Sequence, residues 1–275
     1  MGSSVSDAET VGLIGAGHIA AALVTGWRAG GDGPPHLLLS PRNADIAQQL
    51  AQAFPQVAIA ADNQAVLDRA DTVLLCVRPQ IAEAVLRPLR FAGHHRVLSL
   101  IATFPLARLA PLLAPAGEVA RAVPMPFASS RRGPLAVFPP HDWALTLMAP
   151  LGDIIAAPSE PAFDHLCAIT ATMSAFFKTL GTMSGWLAGG GVPRVLADHY
   201  VASQILALSQ VPGEQRVIDF AALAVRFATK GGINEQVTRE LTEAGAFDLL
   251  TGALDRVLLR VRGEQPLPAD RTGPG

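Results

Sequence analysis

The sequence predicts an α/β fold: an N-terminal, doubly wound parallel sheet of the Rossmann type followed by an all-α domain. In the first half, short apolar runs alternate with helical segments, a pattern typical of parallel strands covered by helices on both faces. From Pro158 onward, long Ala/Leu-rich segments broken by glycine and proline replace those runs, which indicates helices. The segment 156–161, which holds two prolines and a serine, separates the strand-rich half from the helical half.

The elements follow in chain order. Six strands are predicted from the apolar runs at 10–14, 37–39, 57–60, 72–77, 96–101 and 118–122. Ser159, followed by Glu160, is typical of a helix start, so the boundary falls there. We therefore expect a first domain over 1–157, a helical domain over 158–262 and a flexible tail over 263–275, which is rich in proline and glycine.

Composition excludes several classes of protein. The chain of 275 residues is 50% hydrophobic and carries a formal net charge of −2, so no basic surplus exists for nucleic acid. Cys76 and Cys167 lie in apolar stretches, as expected of a reduced intracellular protein. The uncharged segment 11–27 is too short to span a membrane and follows acidic residues, so it is not a secretory signal. We expect a cytoplasmic protein without a membrane partner.

The first strand leads into a dinucleotide-binding fingerprint. Gly15, Gly17 and Ala20, with His18 and Ile19 between them, match Gly-x-Gly-x-x-Ala where a strand passes into a helix. The first glycine permits the tight turn, the second allows backbone to approach a pyrophosphate, and the alanine keeps the helix close to the strand. A tight turn that binds no ligand is the alternative.

The end of the second strand favours NADP(H) over NAD(H). An NAD enzyme places an acidic residue there for the ribose hydroxyls, whereas this chain has Ser40, Arg42 and Asn43. These side chains offer hydrogen-bond donors to a 2′-phosphate, and a guanidinium can bind phosphate with two hydrogen bonds. Capping of the helix 44–54 is the simpler alternative, and both roles are compatible.

Other catalytic schemes have little support. The histidines are scattered, and adjacent loop residues such as His94 and His95 seldom converge on one metal, so no metal site is predicted. The chain contains two lysines. Lys178 lies in a Phe/Leu-rich helical stretch, where its ammonium can reach the surface, while Lys230 precedes two glycines.

Several further motifs resemble the pyrroline-5-carboxylate reductase family. Residues 76–80, Cys-Val-Arg-Pro-Gln, are similar to its Val-Lys-Pro-Gln, and 98–102 to its Ile-Ser-Ile-Ala-Ala. Residues 121–126 resemble Arg-x-Met-Pro-Asn, and 229–234 take the place of Ser-Pro-Gly-Gly-Thr-Thr. The resemblance covers nearly the full length. It also places Glu160 and Asp164 where that family has a Glu and an Asp.

The resemblance implies a set of site residues. Those expected beside the cofactor, besides the fingerprint, are Cys76, Val77, Arg78, Pro79 and Ala102. Those expected to bind substrate are Met125, Pro126, Thr229, Gly231, Gly232 and Ile233. The roles of Arg78 and Arg121 stay open between phosphate contacts and ion pairs with surface acids.

The departures from the family concern substrate binding. Residues 171–176, Ala-Thr-Met-Ser-Ala-Phe, stand where the family has Gly-Ser-Gly-Pro-Ala-Tyr. Ile233 and Asn234 replace both threonines of the glycine loop, and Lys230 adds a cation. These changes predict an altered substrate pocket.

The function implied is hydride transfer from NADPH to the C=N bond of a cyclic imine or imino acid. Lys230, with Gly231 and Gly232, is expected to anchor an acidic group of the substrate, and Asn234 to orient the imine nitrogen. One alternative is a cofactor-binding dimer without turnover. Another is a β-hydroxyacid dehydrogenase, for which Lys178 is the candidate catalytic lysine.

The resemblance also implies a homodimer or higher homo-oligomer formed through the helical domain, with each active site drawing on both subunits. The helical half carries more apolar residues than one small domain can hide. They include Phe176, Phe177, Trp186, Leu187, Ile205, Leu206 and Leu208.

Overall fold

The computed structural model describes residues 10–214 and 217–265. The chain divides into two compact units. The first, here called the sheet unit, contains the residues up to Ala168 together with the segment from Val257 onward. The second, here called the helical unit, is Ile169–Arg256.

The sheet unit is built on one eight-stranded sheet. Its strands are β1 (Thr10–Ile14), β2 (His36–Leu39), β3 (Val57–Ile59), β4 (Thr72–Leu75), β5 (Arg96–Ser99), β6 (Glu118–Val123), β7 (Pro134–Phe138) and β8 (Asp153–Ala156). Their order is β3-β2-β1-β4-β5-β6-β7-β8. Strands β1 to β6 run parallel, while β7 pairs antiparallel with β6 and parallel with β8. The predicted fold class and all six predicted strands are confirmed.

Seven helices of the described chain lie between these strands or directly after the last of them. They are α1 (His18–Gly30), α2 (Ala44–Ala53), α3 (Asn63–Leu67), α4 (Pro79–Leu86), α5 (Leu106–Leu113), α6 (Asp142–Met148) and α7 (Glu160–Ile169). Short 3-10 turns lie at Pro126–Ser130 and Ala149–Leu151. Helix α1 is anchored by Trp27, which is fully buried and donates its indole N–H to the carbonyl oxygen of Leu147 at 3.0 Å.

The side chains of β2 show how both sheet faces are covered. Leu37 and Leu39 pack into a cluster with residues of α1 and α2, whereas Leu38 packs into a second cluster with residues of α3, α4 and α5. Successive side chains of a strand point to opposite faces, so a strand buried on both sides must be continuously apolar. This explains why the sequence shows runs rather than an alternating pattern.

A third cluster fixes where the sheet unit ends. Phe163 and Cys167 of α7 pack with Leu258 and Val261 near the end of the described chain. The contacts therefore divide the chain after α7, whereas the sequence placed the boundary before it, at 157/158. Within the expected tail, residues 263–265 are described and 266–275 lie outside the described residues.

The helical unit contains helices throughout its described part, as predicted. They are α8 (Thr172–Gly189), α9 (Arg194–Gln210), α10 (Phe220–Phe227), α11 (Ile233–Glu243) and α12 (Ala246–Val261), with a 3-10 turn at Val211–Glu214. Among its described residues, the buried ones are Ser184, Ala197, Val201 and Leu223. No helix in the described part of the chain is both long and apolar enough to cross a membrane.

Candidate functional site

The fingerprint turn lies at the carboxyl end of β1, where the strand order reverses between β1 and β4. In open α/β sheets this is the position at which ligands bind. Gly15 has a φ of 101°, and a Cβ there would lie 2.8 Å from the carbonyl carbon of Cys76. Both the backbone angle and the close approach of Cys76 therefore require glycine at this position.

Gly17 leaves open space in front of helix α1. It is the N-cap residue of this 13-residue helix, and a Cβ placed on it would meet no atom within 4 Å. The first turn holds no acidic residue and no side chain caps it. His18 is exposed and Ile19 is half-buried, while Ala20 is fully buried where the helix approaches the sheet. The free N–H groups and the helix dipole suit an anion such as a pyrophosphate.

Ser40 stabilises this turn through a hydrogen bond made in the protein interior. Its side chain is fully buried, and its hydroxyl oxygen accepts a hydrogen bond from the Gly15 N–H at 2.8 Å. A buried hydroxyl of this kind does not present itself to a phosphate at the surface. The placement therefore favours Arg42 and Asn43 over Ser40 as partners of a 2′-phosphate.

Arg42 and Asn43 are both exposed, just beyond the end of β2. Asn43 is the N-cap residue of α2 with a φ of 64°, a conformation that asparagine tolerates better than most residues. Asn43 thus occupies the predicted N-cap position, but its side chain makes no capping hydrogen bond. Neither side chain forms a hydrogen bond or ion pair with another residue of the described ranges.

The residues after β4 face the same edge of the sheet. The Cys76 N–H donates to the carbonyl oxygen of Ile14 at 2.8 Å, and Val77 is buried. Burial raises the pKa of the Cys76 thiol to about 12, so the thiol is neutral at physiological pH and is a poor nucleophile. Arg78 is exposed and caps α4, and Pro79 occupies a first-turn position that suits proline.

Arg121 lies at the centre of a buried ionic cluster. Its guanidinium is 1% exposed and donates to Glu160 Oε1 at 2.7 Å, to Asp164 Oδ1 at 2.8 Å and to the carbonyl oxygen of Ala102 at 3.0 Å. Glu160 Oε1 also accepts from the N–H of Leu106, at 2.7 Å. The cluster thus joins the loop after β5, the start of α5 and helix α7. Arg121 pairs with internal acids, not with surface acids or a phosphate.

Met125 lies between β6 and the 3-10 turn that follows, and Pro126 is the first residue of that turn. Met125 is half-buried and Pro126 is exposed. The turn packs closely on α1, where a Cβ at Gly26 would overlap the carbonyl oxygen of Ala128. These two predicted substrate residues are therefore held on the sheet unit beside the helix that begins at the fingerprint.

The glycine loop 229–234 precedes α11 in the helical unit. Gly231 has a φ of 73°, which favours glycine, and its N–H donates to Glu235 Oε2 at 2.6 Å. The Gly232 N–H donates to the Thr229 carbonyl oxygen at 2.8 Å. Two backbone groups predicted to bind substrate are thus engaged within the loop.

The remaining predicted residues of this loop are exposed. Asn234 donates its Nδ2 to the carbonyl oxygen of Phe227 at 3.1 Å, and Ile233 is 82% exposed. Lys230 is exposed and has no hydrogen-bond or ion-pair partner in the described part of the chain. Lys178 is also exposed, on α8.

Sequence reasoning missed Glu235 and the partners of Arg121. A glutamate in the first turn after a Gly-Gly helix start is a local capping signal that was available in the sequence. Arg121 and Glu160 are 39 residues apart, and no local pattern links them.

The similarity of this chain to known proteins extends over most of its length. The family model described as NADP oxidoreductase coenzyme F420-dependent matches residues 10–103. A pyrroline-5-carboxylate reductase of Pseudomonas aeruginosa is 26% identical over 257 residues, covering 89% of this chain and 93% of that protein.

Two solved structures show the same fold. The 1-pyrroline-5-carboxylate reductase of Streptococcus pyogenes has a TM-score of 0.82 at 23% identity, covering 94% of this chain and 100% of that one. The pyrroline carboxylate reductase of Plasmodium falciparum with NADP bound has a TM-score of 0.75 at 15% identity, covering 92% and 97%. The chain is thus similar over nearly its full length to a curated pyrroline-5-carboxylate reductase, and it shares the fold of these two solved structures.

Proposed function

We propose that this chain is an NADPH-dependent reductase that transfers a hydride to the carbon of a C=N bond in a small cyclic imine or imino acid. The observation that carries the proposal is the open fingerprint turn at Gly17, in a chain similar along its length to pyrroline-5-carboxylate reductases. The resident cofactor would be held by the backbone of 15–17 and by the N-terminus of α1.

Preference for NADP(H) over NAD(H) is part of the proposal. The end of β2 carries no acidic residue for a ribose hydroxyl, and the exposed Arg42 guanidinium is available to a 2′-phosphate. Asn43 offers a second donor beside it. Ser40 contributes indirectly, because it holds the Gly15 turn in place.

Reduction of a C=N bond needs little acid catalysis from the protein. When bound, a reduced nicotinamide supplies the hydride to the imine carbon. The electron pair of the C=N π bond then passes to nitrogen, so reduction consumes one hydride and one proton per substrate. Since a protonated imine is already electrophilic, the contribution of the chain is to place the reacting carbons. The backbone of 76–79 and of Ala102, which Arg121 holds, serves this placement.

In the helical unit, the loop 229–234 is assigned to substrate binding, with Asn234 and Lys230 at its surface. The fingerprint turn is common to the reductase and to the alternative of a cofactor-binding dimer without turnover, so the two proposals differ in whether a substrate is reduced. The β-hydroxyacid dehydrogenase alternative rests on Lys178 alone.

We further propose that two or more copies associate through the helical unit and that each active site draws on both subunits. The large apolar side chains exposed on this unit support the idea. Among them are Phe176, Phe177, Trp186, Tyr200, Leu206 and Leu208. The two free cysteines, Cys76 and Cys167, fit a reducing compartment such as the cytoplasm.

The test is NADPH oxidation followed at 340 nm with a panel of five- and six-membered cyclic imines and imino acids. We expect oxidation above the blank with at least one of them, and weaker activity with NADH. An increase in melting temperature with NADPH, combined with no oxidation across the panel, would contradict the reductase and favour a cofactor-binding protein without turnover.

A further inference from the structure

The segment 100–105, here called the β5 loop, leaves the carboxyl edge of the sheet close to the fingerprint turn. Strand β4 lies between β1 and β5, and Ile14, Leu75 and Ser99 are neighbours in register across the three strands. Just past the end of β5, the Leu100 N–H donates to the Leu75 carbonyl oxygen at 3.0 Å. The β5 loop therefore begins two strands, about 10 Å, from the fingerprint turn.

The β5 loop lies on the side of the fingerprint turn opposite the proposed 2′-phosphate site. Arg42 follows β2, which flanks β1 on one side, whereas β4 and then β5 lie on the other. A dinucleotide with its pyrophosphate at the turn and its adenosine toward β2 has its nicotinamide half on the β4 and β5 side. The inference below rests on the proposed function, because it takes the β5 loop to lie on the nicotinamide side.

Side chains from other elements hold the β5 loop at both ends. Within the loop, the Phe104 N–H donates to the Ile101 carbonyl oxygen at 3.1 Å. At the front, Arg121 of β6 donates to the Ala102 carbonyl oxygen at 3.0 Å. Where the loop passes into α5, a carboxylate oxygen of α7 accepts the first N–H of that helix. The position of the loop thus depends on β6 and α7 and not on the strand ladder alone.

The two anchors meet at a single oxygen of Glu160. Its Oε1 accepts from the Leu106 N–H at 2.7 Å and from Arg121 Nη1 at 2.7 Å. The same Nη1 donates to Asp164 Oδ1 at 2.8 Å, one turn later on α7. In the described chain, the ion pairs of Asp164 are with Arg121 and Arg262, so Asp164 does not bond to the loop. Glu160 therefore touches the loop, while its neighbour in the cluster does not.

We propose that Glu160 is a positioning residue for hydride transfer. Its Oε1 fixes the β5 loop directly at Leu106 and, through Arg121, at Ala102, and the fixed loop sets the place of the nicotinamide ring against the substrate. The role is indirect, because Glu160 acts on the ring through the loop. Its expected effect is nevertheless large, since misplacing reacting atoms by about 1 Å can slow a reaction about a hundredfold.

The test compares three substitutions of Glu160 with an imine that the unaltered chain reduces. Glu160→Ala removes both hydrogen bonds and leaves Asp164 paired with Arg121, so kcat should fall about tenfold or more while KM for NADPH stays within about threefold. Glu160→Gln keeps one oxygen that accepts from both donors and should keep kcat within about threefold of the unaltered chain. Glu160→Asp keeps the charge but shortens the side chain, and should lower kcat by about threefold or more even where the alanine variant does not fold.

Asp164→Asn is the matched control, because it alters the other acid on the same guanidinium nitrogen. Asp164 is 6% exposed and Glu160 is 25% exposed. Asp164→Asn should therefore lower the melting temperature at least as much as Glu160→Gln does, yet keep kcat within about threefold of the unaltered chain. The positioning role is overturned if kcat falls equally in Asp164→Asn and Glu160→Asp, or if folded Glu160→Gln loses as much activity as Glu160→Asp.

Two measurements need no turnover and separate this inference from the reductase proposal. Hydrogen exchange of the Leu106 N–H in the protein without cofactor should be about tenfold or more faster in Glu160→Ala or Glu160→Asp, and unchanged in Asp164→Asn. The fluorescence of bound NADPH, which reports the surroundings of the nicotinamide, should change in the same variants. If both changes occur while no imine is reduced, the placement by Glu160 stands and the proposed turnover fails. Unchanged exchange and fluorescence overturn the placement, and failure of the unaltered chain to bind NADPH overturns both proposals.

Discussion

The sheet unit hides its apolar side chains on both faces of the sheet, whereas the helical unit leaves most of its large ones at the surface. Among the described residues, the sheet unit exposes Ile59, Phe127 and Ile155, while the helical unit exposes twenty large apolar side chains, with Trp186 at 78%. A polypeptide that leaves so much apolar surface in water loses the main favourable term of folding. The sheet unit therefore has a complete core of its own, and the helical unit needs a further covering surface.

The largest expected effect concerns the buried ionic cluster around Arg121 in the sheet unit. Arg121→Met keeps much of the side-chain volume but leaves Glu160 and Asp164 without their buried partner, which typically costs about 3 to 5 kcal/mol. We expect this loss in the free energy of unfolding measured by denaturant titration. Arg108→Met is the matched control, because its partner Glu83 is partly exposed, and it should cost clearly less than Arg121→Met. Equal losses in the two variants would show that the cluster does not hold the sheet unit together.

The second prediction concerns the exposed surface of the helical unit. Trp186→Glu places a charge among apolar side chains that we propose a second copy covers, and it should weaken association by about 2 kcal/mol or more, ~30-fold in Kd. Light scattering at micromolar concentration measures the change. Ile59→Glu puts the same charge on an exposed residue of the sheet unit and should leave the mass unchanged. A stable monomer of the unaltered chain would show that no second copy covers the exposed apolar side chains of the helical unit.

The third prediction separates two glycines of the fingerprint turn. Gly17→Ala directs a methyl group into open space, so the unliganded protein should lose about 1 kcal/mol or less, while the stabilisation of the protein by NADPH should largely disappear. Gly15→Ala forces a side chain onto a φ of 101° against Cys76 and should cost about 1 to 3 kcal/mol without any ligand. Thermal unfolding with and without NADPH distinguishes the two outcomes. Unchanged stabilisation by NADPH in Gly17→Ala would remove the turn from the cofactor site.

The smallest expected effect is the contribution of His95 to the pH dependence of the stability of the sheet unit. His95 is buried, its Nδ1 accepts from the Ala92 N–H at 2.9 Å and its Nε2 lies 3.1 Å from the Leu67 carbonyl oxygen, a pairing that needs the neutral ring. Burial lowers the pKa of His95 below its usual value of 6.5. The unfolded chain therefore binds the proton first, so this stability is present above pH 6.5 and is lost as pH falls through the folded pKa.

His95→Gln should flatten this part of the profile of unfolding free energy between pH 7 and pH 5. His94→Gln, at the adjacent exposed residue, should leave the profile unaltered. A flattening of equal size in both variants would assign the pH dependence to another group.

The sequence predicted the strands well where their signal is local. Strands β1 to β6 are apolar runs between turn residues, and each was found. Strands β7 and β8 were not predicted, because β7 opens at Pro134 in a Gly/Pro-rich segment and β8 is a short edge strand with exposed residues. The fingerprint was equally local, since Gly15, Gly17 and Ala20 fall within six residues.

The site was predicted less completely because its hydrogen bonds join distant segments. Ser40 was assigned to a phosphate, but it accepts from Gly15, 25 residues away. Arg121 finds its acids in α7 after a separation of 39 and 43 residues. Such pairs depend on sheet order and helix packing, which residue spacing does not encode. Glu235 is the exception, because its partner lies four residues away.

We propose that the sheet unit holds a phosphorylated dinucleotide at the Gly15 to Gly17 turn. Titration calorimetry of the full chain with NADPH tests it most directly. We expect one cofactor bound per chain and an affinity for NADPH about tenfold or more above that for NADH, because Arg42 has a 2′-phosphate to bind only in NADPH. Absence of heat with either coenzyme at millimolar concentration would contradict the account.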